Sequence, residues 1–189
     1  MENFNSLGVF TNGTKINALN KICREFNANV LAGCKTQAAW QQATEEQQFK
    51  NILGVRMDTR SIVVHNINKQ MQRNQHGGCA MMAMGCFSAK VVKTGVDPYR
   101  LGRWCWMKVG SGEKKTWIVM IYQSSSTSTT NSAGTTVREQ HEQYFEARGD
   151  IRPTQIIFFD QLIAQLVVWK ATDSDIILLG DFNKNVYTG

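Results

Sequence analysis

The residues of this chain best suited to chemistry are an aspartate and an asparagine that follow a strongly apolar run. The run spans residues 176–179, Gly180 follows it, and Phe182 separates Asp181 from Asn183. A strand places alternate side chains on one face, so the two polar groups can point to one place beyond a sheet edge. A carboxylate beside an amide suits a hard metal ion and a phosphate oxygen. The alternative is an Asp-x-Asn turn that only closes the strand.

The rest of the pattern predicts an alternating α and β layout that would position this pair. Apolar residues at helical spacing predict helices over residues 14–26, 137–148 and 154–170. Short apolar runs predict strands at residues 30–34, 62–65, 79–84, 89–94, 104–109 and 117–122, the last four as successive antiparallel strands. The segment between the first two of these strands, rich in Gln, Glu and Ala, is expected to be partly helical.

One segment is of low complexity. Residues 124–136 consist almost wholly of Ser, Thr, Asn, Ala and Gly. They offer too little apolar surface to offset the entropy of ordering, so we predict a flexible Ser/Thr-rich loop. The loop either serves the site that Asp181 marks or is only a solvated connector.

Length and composition predict one intracellular, soluble domain over residues 1–189. The chain is 42% hydrophobic, which is enough for a core, and it has no signal-peptide or membrane-spanning run. Its five cysteines form no zinc-like spacing and are expected to be reduced thiols. The net charge of +6 favours contact with polyanions. Nuclear and cytoplasmic locations both remain open.

Tryptophans alternate on one predicted strand and recur on the next. Trp104 and Trp106 share a strand face behind Arg103, and Trp117 lies on the neighbouring strand. Such a group either packs in the core of the sheet or forms a platform on which bases stack.

Several segments resemble, in the same order, the motifs of the endonuclease/exonuclease/phosphatase superfamily. They are Asn3 with the residues up to Leu7, residues 29–37, the Gly77-Gly78 pair, residues 116–122 ending on Tyr122, and Gly180-Asp181-Phe182-Asn183. The likeness covers nearly the whole chain and rests on order and spacing rather than on any one motif. It implies a two-sheet α/β sandwich and a site formed by Asn3, Tyr122, Asp181 and Asn183.

The resemblance also implies roles for these residues. Asp181 would orient or deprotonate the attacking water, and Asn183 and Tyr122 would donate hydrogen bonds to the scissile phosphate. Asn3 and Asp181 would form the environment of a Mg²⁺ ion that stabilises the developing charge.

The sequence departs from the family pattern in two places. Lys35 stands where the family carries its metal-ligating Glu, and a cation cannot ligate a cation. The chain also reaches Gly189 before the family's further Asp-bearing strand and final Ser-Asp-His, so we expect a sandwich that is incomplete at its C-terminal end. Such a sandwich would expose a sheet edge, and Mg²⁺ binding is expected to be weak or absent.

A finer likeness rests on Arg103-Trp104-Cys105-Trp106, Tyr122, Gln143-Tyr144-Phe145 and Gly180-Asp181-Phe182-Asn183. With these residues, the chain looks most like the apurinic-type endonuclease domains of retrotransposons. This likeness implies a Mg²⁺-dependent DNA endonuclease or a degenerate copy of one. The alternatives are a catalytically inactive structural or protein-binding subunit and a phosphatase of the same superfamily, and whether the chain is an enzyme stays open. The expected partners are DNA, bound weakly and without sequence preference, or another protein chain at the exposed sheet edge.

Overall fold

The computed structural model describes residues 2–3, 14–45, 48–52, 58–68, 75–125, 136–172 and 174–183. Two sheets and four α-helices account for most of this part of the chain. The strands are β1 (Glu2–Asn3), β2 (Val30–Cys34), β3 (Thr59–Val64), β4 (Cys79–Met84), β5 (Val91–Val96), β6 (Trp104–Val109), β7 (Thr116–Tyr122) and β8 (Asp175–Asp181). The α-helices are α1 (Thr14–Glu25), α2 (Phe49–Ile52), α3 (Val137–Glu146) and α4 (Thr154–Lys170). Short 3-10 segments cover Trp40–Gln42 and Gly85–Lys90.

The two sheets each hold four of the described strands. The first has the order β1-β2-β4-β3, and the second has the order β5-β6-β7-β8. The β1–β2 and β7–β8 pairs are parallel and the others are antiparallel. In each sheet the parallel pair lies at one edge. These pairs include the strand that precedes Lys35 and the two strands that end at Tyr122 and Asp181.

The sheets pack face to face, and their central strands are buried on both sides. In β7, Ile118 and Met120 pack between the sheets, whereas Val119 and Ile121 pack on the outer side. All six residues of β4 are buried and divide between two clusters in the same way. Burial on both faces explains why these strands read as continuous apolar runs instead of alternating ones.

Helices cover the outer faces. The first sheet is covered by α1 through Ile16, Leu19 and Cys23, which lie on one stripe at helical spacing. The second sheet is covered by α4, whose Trp169 stacks on Trp117 at 4.7 Å between ring centroids. The tryptophans of β6 and β7 therefore belong to the core beneath α4, and the base-stacking interpretation of them is not supported.

A buried ion pair fixes the turn that leads into β6. The Asp97 carboxylate accepts hydrogen bonds from Arg103 Nε and Nη2, each at 2.7 Å, and both side chains are almost fully buried. It also accepts from the backbone N–H groups of Tyr99 and Leu101. Because Arg103 O accepts from Tyr122 N–H at 2.7 Å, this turn also anchors the end of β7.

Most predicted elements lie where the sequence places them, and one predicted pairing is wrong. Strands β4 and β5 were expected to be antiparallel neighbours, but β4 pairs with β2 and β3, and β5 pairs with β6. The 3-10 segment Gly85–Lys90 carries the chain from one sheet to the other. Of the predicted loop at residues 124–136, the part from 126 to 135 lies outside the described residues.

Candidate functional site

The candidate site lies at one mouth of the sandwich, where strands of both sheets end. Cys34, the last residue of β2, packs between the sheets, and Lys35 follows it. In the second sheet, Tyr122 and Asp181 are register partners at the ends of the parallel strands β7 and β8. Parallel strands bring their carboxyl ends to the same sheet edge, so the side chains predicted from the sequence meet here.

A salt bridge joins the two sheets at this mouth. Lys35 Nζ lies 2.9 Å from Asp181 Oδ2, and each side chain is only about one-quarter exposed, at 25% and 24%. Lys35 has a left-handed backbone with φ of 56°. Lys35 thus contacts Asp181 directly across the two sheets.

The second oxygen of Asp181 closes a turn. Asn183 N–H donates to Asp181 Oδ1 at 3.0 Å, and Asn183 has a φ of 45°. The Asn183 side-chain amide donates to the carbonyl oxygen of Gln123. Asp181 and Asn183 do lie together, but an Asp-x-Asn turn holds them instead of simple strand alternation. The turn given as the alternative is therefore present, and the role of the pair toward a phosphate stays a prediction.

Tyr122 contributes a protonated hydroxyl beside the salt bridge. Its ring centroid lies 5.6 Å from Lys35 Nζ, and the residue is 7% exposed. Burial, together with the negative charge of Asp181, raises the pKa of Tyr122 to about 12. The phenol is therefore protonated at neutral pH and can donate a hydrogen bond to an anion.

Two glycines allow the strands to approach at this point. At Gly78, with φ of +86°, an added Cβ would lie 2.6 Å from Thr36 Oγ1 and 2.9 Å from Val64 O. At Gly180, with φ of +154°, it would lie 2.2 Å from Ile121 O. Glycine is required at both positions by backbone conformation and by space. Gly78 and Gly180, which lie in the motif-like segments of the sequence, therefore have a structural role at the mouth of the sandwich.

Asn3 enters the site region through backbone pairing. In the parallel β1–β2 ladder, Asn3 is the register partner of Cys34, which directly precedes Lys35. Its backbone thus lies at the end of the sheet where it was expected. The role of its side chain as a metal ligand stays a prediction.

Two residues at the mouth were not singled out from the sequence. Gln123 is 2% exposed, and its backbone N–H donates to Asp181 O. Among the described residues, its side-chain Oε1 and Nε2 find no hydrogen-bond partner. Cys34 lies behind the salt bridge, and burial, reinforced by Asp181, raises its pKa to about 11. Gln123 lies between the apolar strand that ends at Tyr122 and a Ser-rich segment. Nothing in that pattern predicts that its side chain is buried.

The donor set does not fit a Mg²⁺ ion. Magnesium requires oxygen ligands in near-octahedral geometry, whereas a lysine ammonium has three donors and no acceptor. The Asp181 carboxylate is bound to that ammonium on one oxygen and to a backbone N–H on the other. Across the described ranges, no group of three or more His, Cys, Asp and Glu side chains is placed to hold a metal.

Comparisons with known proteins identify the fold. Neither a protein-family model nor a curated protein matches the sequence. Among solved structures, the human Nocturnin catalytic domain with bound sulfate anion matches with a TM-score of 0.58 and 11% identity, over 97% of this chain and 62% of that one. The chain thus spans about three-fifths of that domain's length. The predicted two-sheet α/β sandwich is confirmed.

Two further solved structures resemble the chain less closely. An AP endonuclease from Archaeoglobus fulgidus has a TM-score of 0.41 at 12% identity, over 64% of this chain and 38% of that one. TDP2 from Caenorhabditis elegans has a TM-score of 0.48 at 13% identity, over 91% and 42%. At these scores neither adds to the assignment of the fold.

Within the described ranges, no helix has the length and apolar character needed to cross a membrane.

Proposed function

We propose that this chain is a degenerate phosphodiesterase-type sandwich that binds nucleic acid without Mg²⁺-dependent cleavage. The observation that supports the proposal is the 2.9 Å salt bridge between Lys35 and Asp181. The ammonium contacts an oxygen of the carboxylate to which the motif resemblance assigns a metal ion. We infer descent from a retroelement-type endonuclease, as the order of the motifs suggests.

Loss of the metal ligand disables the remaining groups. Groups that act as one catalytic unit fail together when one of them is lost. An attacking water would have to compete with the Lys35 ammonium and the Asn183 N–H for the oxygens of Asp181. Lys35 supplies a positive charge but does not activate a bound water as a divalent metal does. Phosphodiester and phosphomonoester hydrolysis are both expected to be lost.

The same groups favour binding of a phosphate. Lys35 remains one-quarter exposed, Tyr122 is a protonated donor, and the Asn183 amide lies beside them. Together with the net charge of +6, they favour a phosphate backbone held through charge and hydrogen bonds. Such binding is weak, independent of sequence and steeply dependent on salt.

Two assays on the purified protein test this proposal. Fluorescence anisotropy with a labelled duplex, at low and at moderate salt, should show binding that weakens as salt rises. Supercoiled plasmid incubated with Mg²⁺ should not be nicked by the wild type. Nicking that disappears in Asp181→Ala would contradict the proposal and restore the active-endonuclease interpretation. No binding at low salt would remove the nucleic-acid role.

A specific observation favours protein binding as a second candidate function. Among the described strands, β8 is the outer strand of its sheet. Its Ile177 and Leu178 are 47% and 39% exposed, and Ile163 and Val167 on the adjacent α4 are exposed as well. An apolar edge strand with free backbone groups accepts an added strand. We propose an extended strand of another protein chain as the partner at this edge.

A further inference from the structure

A polar groove lies beside α3, apart from the residues of the candidate site. It is formed where the segment after β3 meets the helix, and its volume is about 350 Å³. This is within the size range of small-ligand sites. The lining residues are Asn66, Asn68, Gln140, Gln143, Tyr144, Ala147 and Arg148. Four of these seven residues carry side-chain amides, one is aromatic and one is cationic.

The floor of the groove is held rigidly by hydrogen bonds. Asn66 is 2% exposed, and its amide Nδ2 donates to Gln140 Oε1 at 3.0 Å. Its Oδ1 accepts from Asn68 N–H at 3.0 Å, and its backbone carbonyl accepts from the buried Gln75 Nε2 at 2.8 Å. The loop and the helix are therefore locked together beneath the opening. A ligand would meet a preformed surface and lose little energy in ordering it.

The opening of the groove carries a stacked cation and aromatic ring. The Arg148 guanidinium lies 3.6 Å from the centroid of the Tyr144 ring, and Arg148 Nη1 donates to Tyr144 O at 3.0 Å. The ring is buttressed by edge contacts with Tyr99 and Phe145, at 6.4 and 5.2 Å between centroids. Gln143 is exposed at the same opening.

We infer that this groove binds an unpaired nucleobase of a single-stranded nucleic acid. The Gln143 amide, exposed at the opening, offers a donor and an acceptor side by side, which matches the edge of a base. The buried Asn66 and Gln140 amides bond to each other and set the floor beneath it. Guanidinium planes and aromatic rings stack on unpaired bases. Of the residues that the structure describes, none of those lining the groove is a carboxylate that would repel a phosphate, and Arg148 adds a positive charge. A base in a duplex already uses its pairing edge, so the groove discriminates in favour of single strands.

The groove and the mouth of the sandwich are connected by contacting residues. Thr36 follows Lys35 and lies against Gly78, where an added Cβ would also lie 3.8 Å from His65 Cα. His65 directly precedes Asn66 on the groove floor. These linking residues are buried, so they hold the mouth and the groove in fixed positions relative to each other. A strand that contacts both sites rests on the proposed function, whereas recognition of the base by the groove does not.

The test measures binding of a labelled eight-nucleotide single strand, as DNA and as RNA, and of a hairpin duplex. Arg148→Lys keeps the charge and removes the planar stacking group, and Gln143→Ala removes one amide from an exposed position. Each change should weaken single-strand binding about five- to tenfold and leave duplex binding within about twofold. Lys114→Gln, at an exposed position in the β6–β7 hairpin, is the control for a surface substitution away from the groove and should not lower single-strand binding selectively. The DNA and RNA arms show which sugar the site accepts.

The outcomes separate the groove from the proposed function. Single-strand affinity unchanged in both groove variants would overturn the inference, even if the duplex binds as proposed. If no oligonucleotide binds, titration with adenosine decides the matter. Amide NMR shifts at Gln143 and Arg148 would then support the base site while the nucleic-acid function fails. Absence of those shifts would overturn the base site as well.

Discussion

Lys35 and Asp181 form a contact between the two sheets, with Lys35 Nζ placed 2.9 Å from Asp181 Oδ2. Lys35 continues from β2 in the first sheet, and Asp181 ends β8 in the second. Strands β2 and β8 pack their inward side chains in one core, so the pair at their ends spans the opening of that core. A cation supplied by the chain itself thus lies against the Asp181 carboxylate, which we proposed to be the remnant of a metal site.

The coupling between these two residues is the first prediction. A double-mutant cycle with Lys35→Met and Asp181→Asn should give a coupling free energy of about 1 kcal/mol, because the pair is largely but not fully buried. Urea unfolding of the four proteins measures it. The exposed pair Lys21 and Glu25, whose side chains are 75% and 54% exposed, is the matched control and should couple more weakly. Additive effects of the two site changes would mean that the salt bridge is absent in solution.

The buried pair of Asp97 and Arg103 should matter far more for stability. Asp97→Asn leaves the Arg103 guanidinium buried without its counterion, and the expected cost is about 3 to 5 kcal/mol in the free energy of unfolding. Chemical denaturation measures this loss. Asp150→Asn, which weakens the exposed ion pair with Arg152, serves as the control and should change stability little. Equal effects of the two substitutions would contradict the structural role of the Asp97–Arg103 pair.

His141 should make the protein sensitive to mild acid. Burial, reinforced by the charge of Arg103, lowers the pKa of His141 from 6.5 to about 4, and its Nε2 lies 3.0 Å from Leu101 O. Between these two pH values the unfolded chain binds a proton that the folded chain does not, so stability falls as pH drops through this window. The loss approaches about 3 kcal/mol at the lower end. Unfolding of the wild type and of His141→Gln at several pH values isolates this contribution, which should be missing from the variant.

The exposed edge of β8 should make the isolated chain self-associate. Leu178→Lys places a charge on the edge strand, which disfavours strand addition. Light scattering coupled to size-exclusion chromatography should show a mass that rises with protein concentration for the wild type and less so for the variant. Lys93→Gln, on the edge strand β5 of the same sheet, is the control. A wild type that stays monomeric at high concentration would argue against edge pairing.

The sequence predicted the elements better than their arrangement. Strands β4 and β7 were recognisable because burial on both faces makes them continuously apolar. The membership of β4 and β5 in different sheets was not predicted, because local periodicity reports burial and carries no information on which strands pair. The short 3-10 segment that separates them has no strong pattern of its own.

The residues of the site were predicted to different degrees. Two apolar strands end at Tyr122 and at Asp181, and Asn183 follows the second of them. All three residues lie in motif-like segments, so their meeting at one sheet edge could be expected. Lys35 was linked to them only by resemblance, because nothing local to Lys35 predicts an ion pair with a residue so distant in sequence. The groove was missed entirely, since Asn66 and Arg148 come from separate elements and share no spacing.

Metal titration tests the central claim most directly, because the claim is that Lys35 replaces the cation at Asp181. Calorimetric titration of the wild type with Mg²⁺ and with Mn²⁺ should show no saturable site in the micromolar range. Lys35→Glu removes a positive charge and adds a carboxylate beside Asp181, so it should bind divalent ions measurably more tightly. Lys35→Gln removes the charge without adding a ligand, and it should gain much less. A tight site in the wild type that is lost in Asp181→Asn would contradict the account, and so would a Lys35→Glu variant with unchanged affinity.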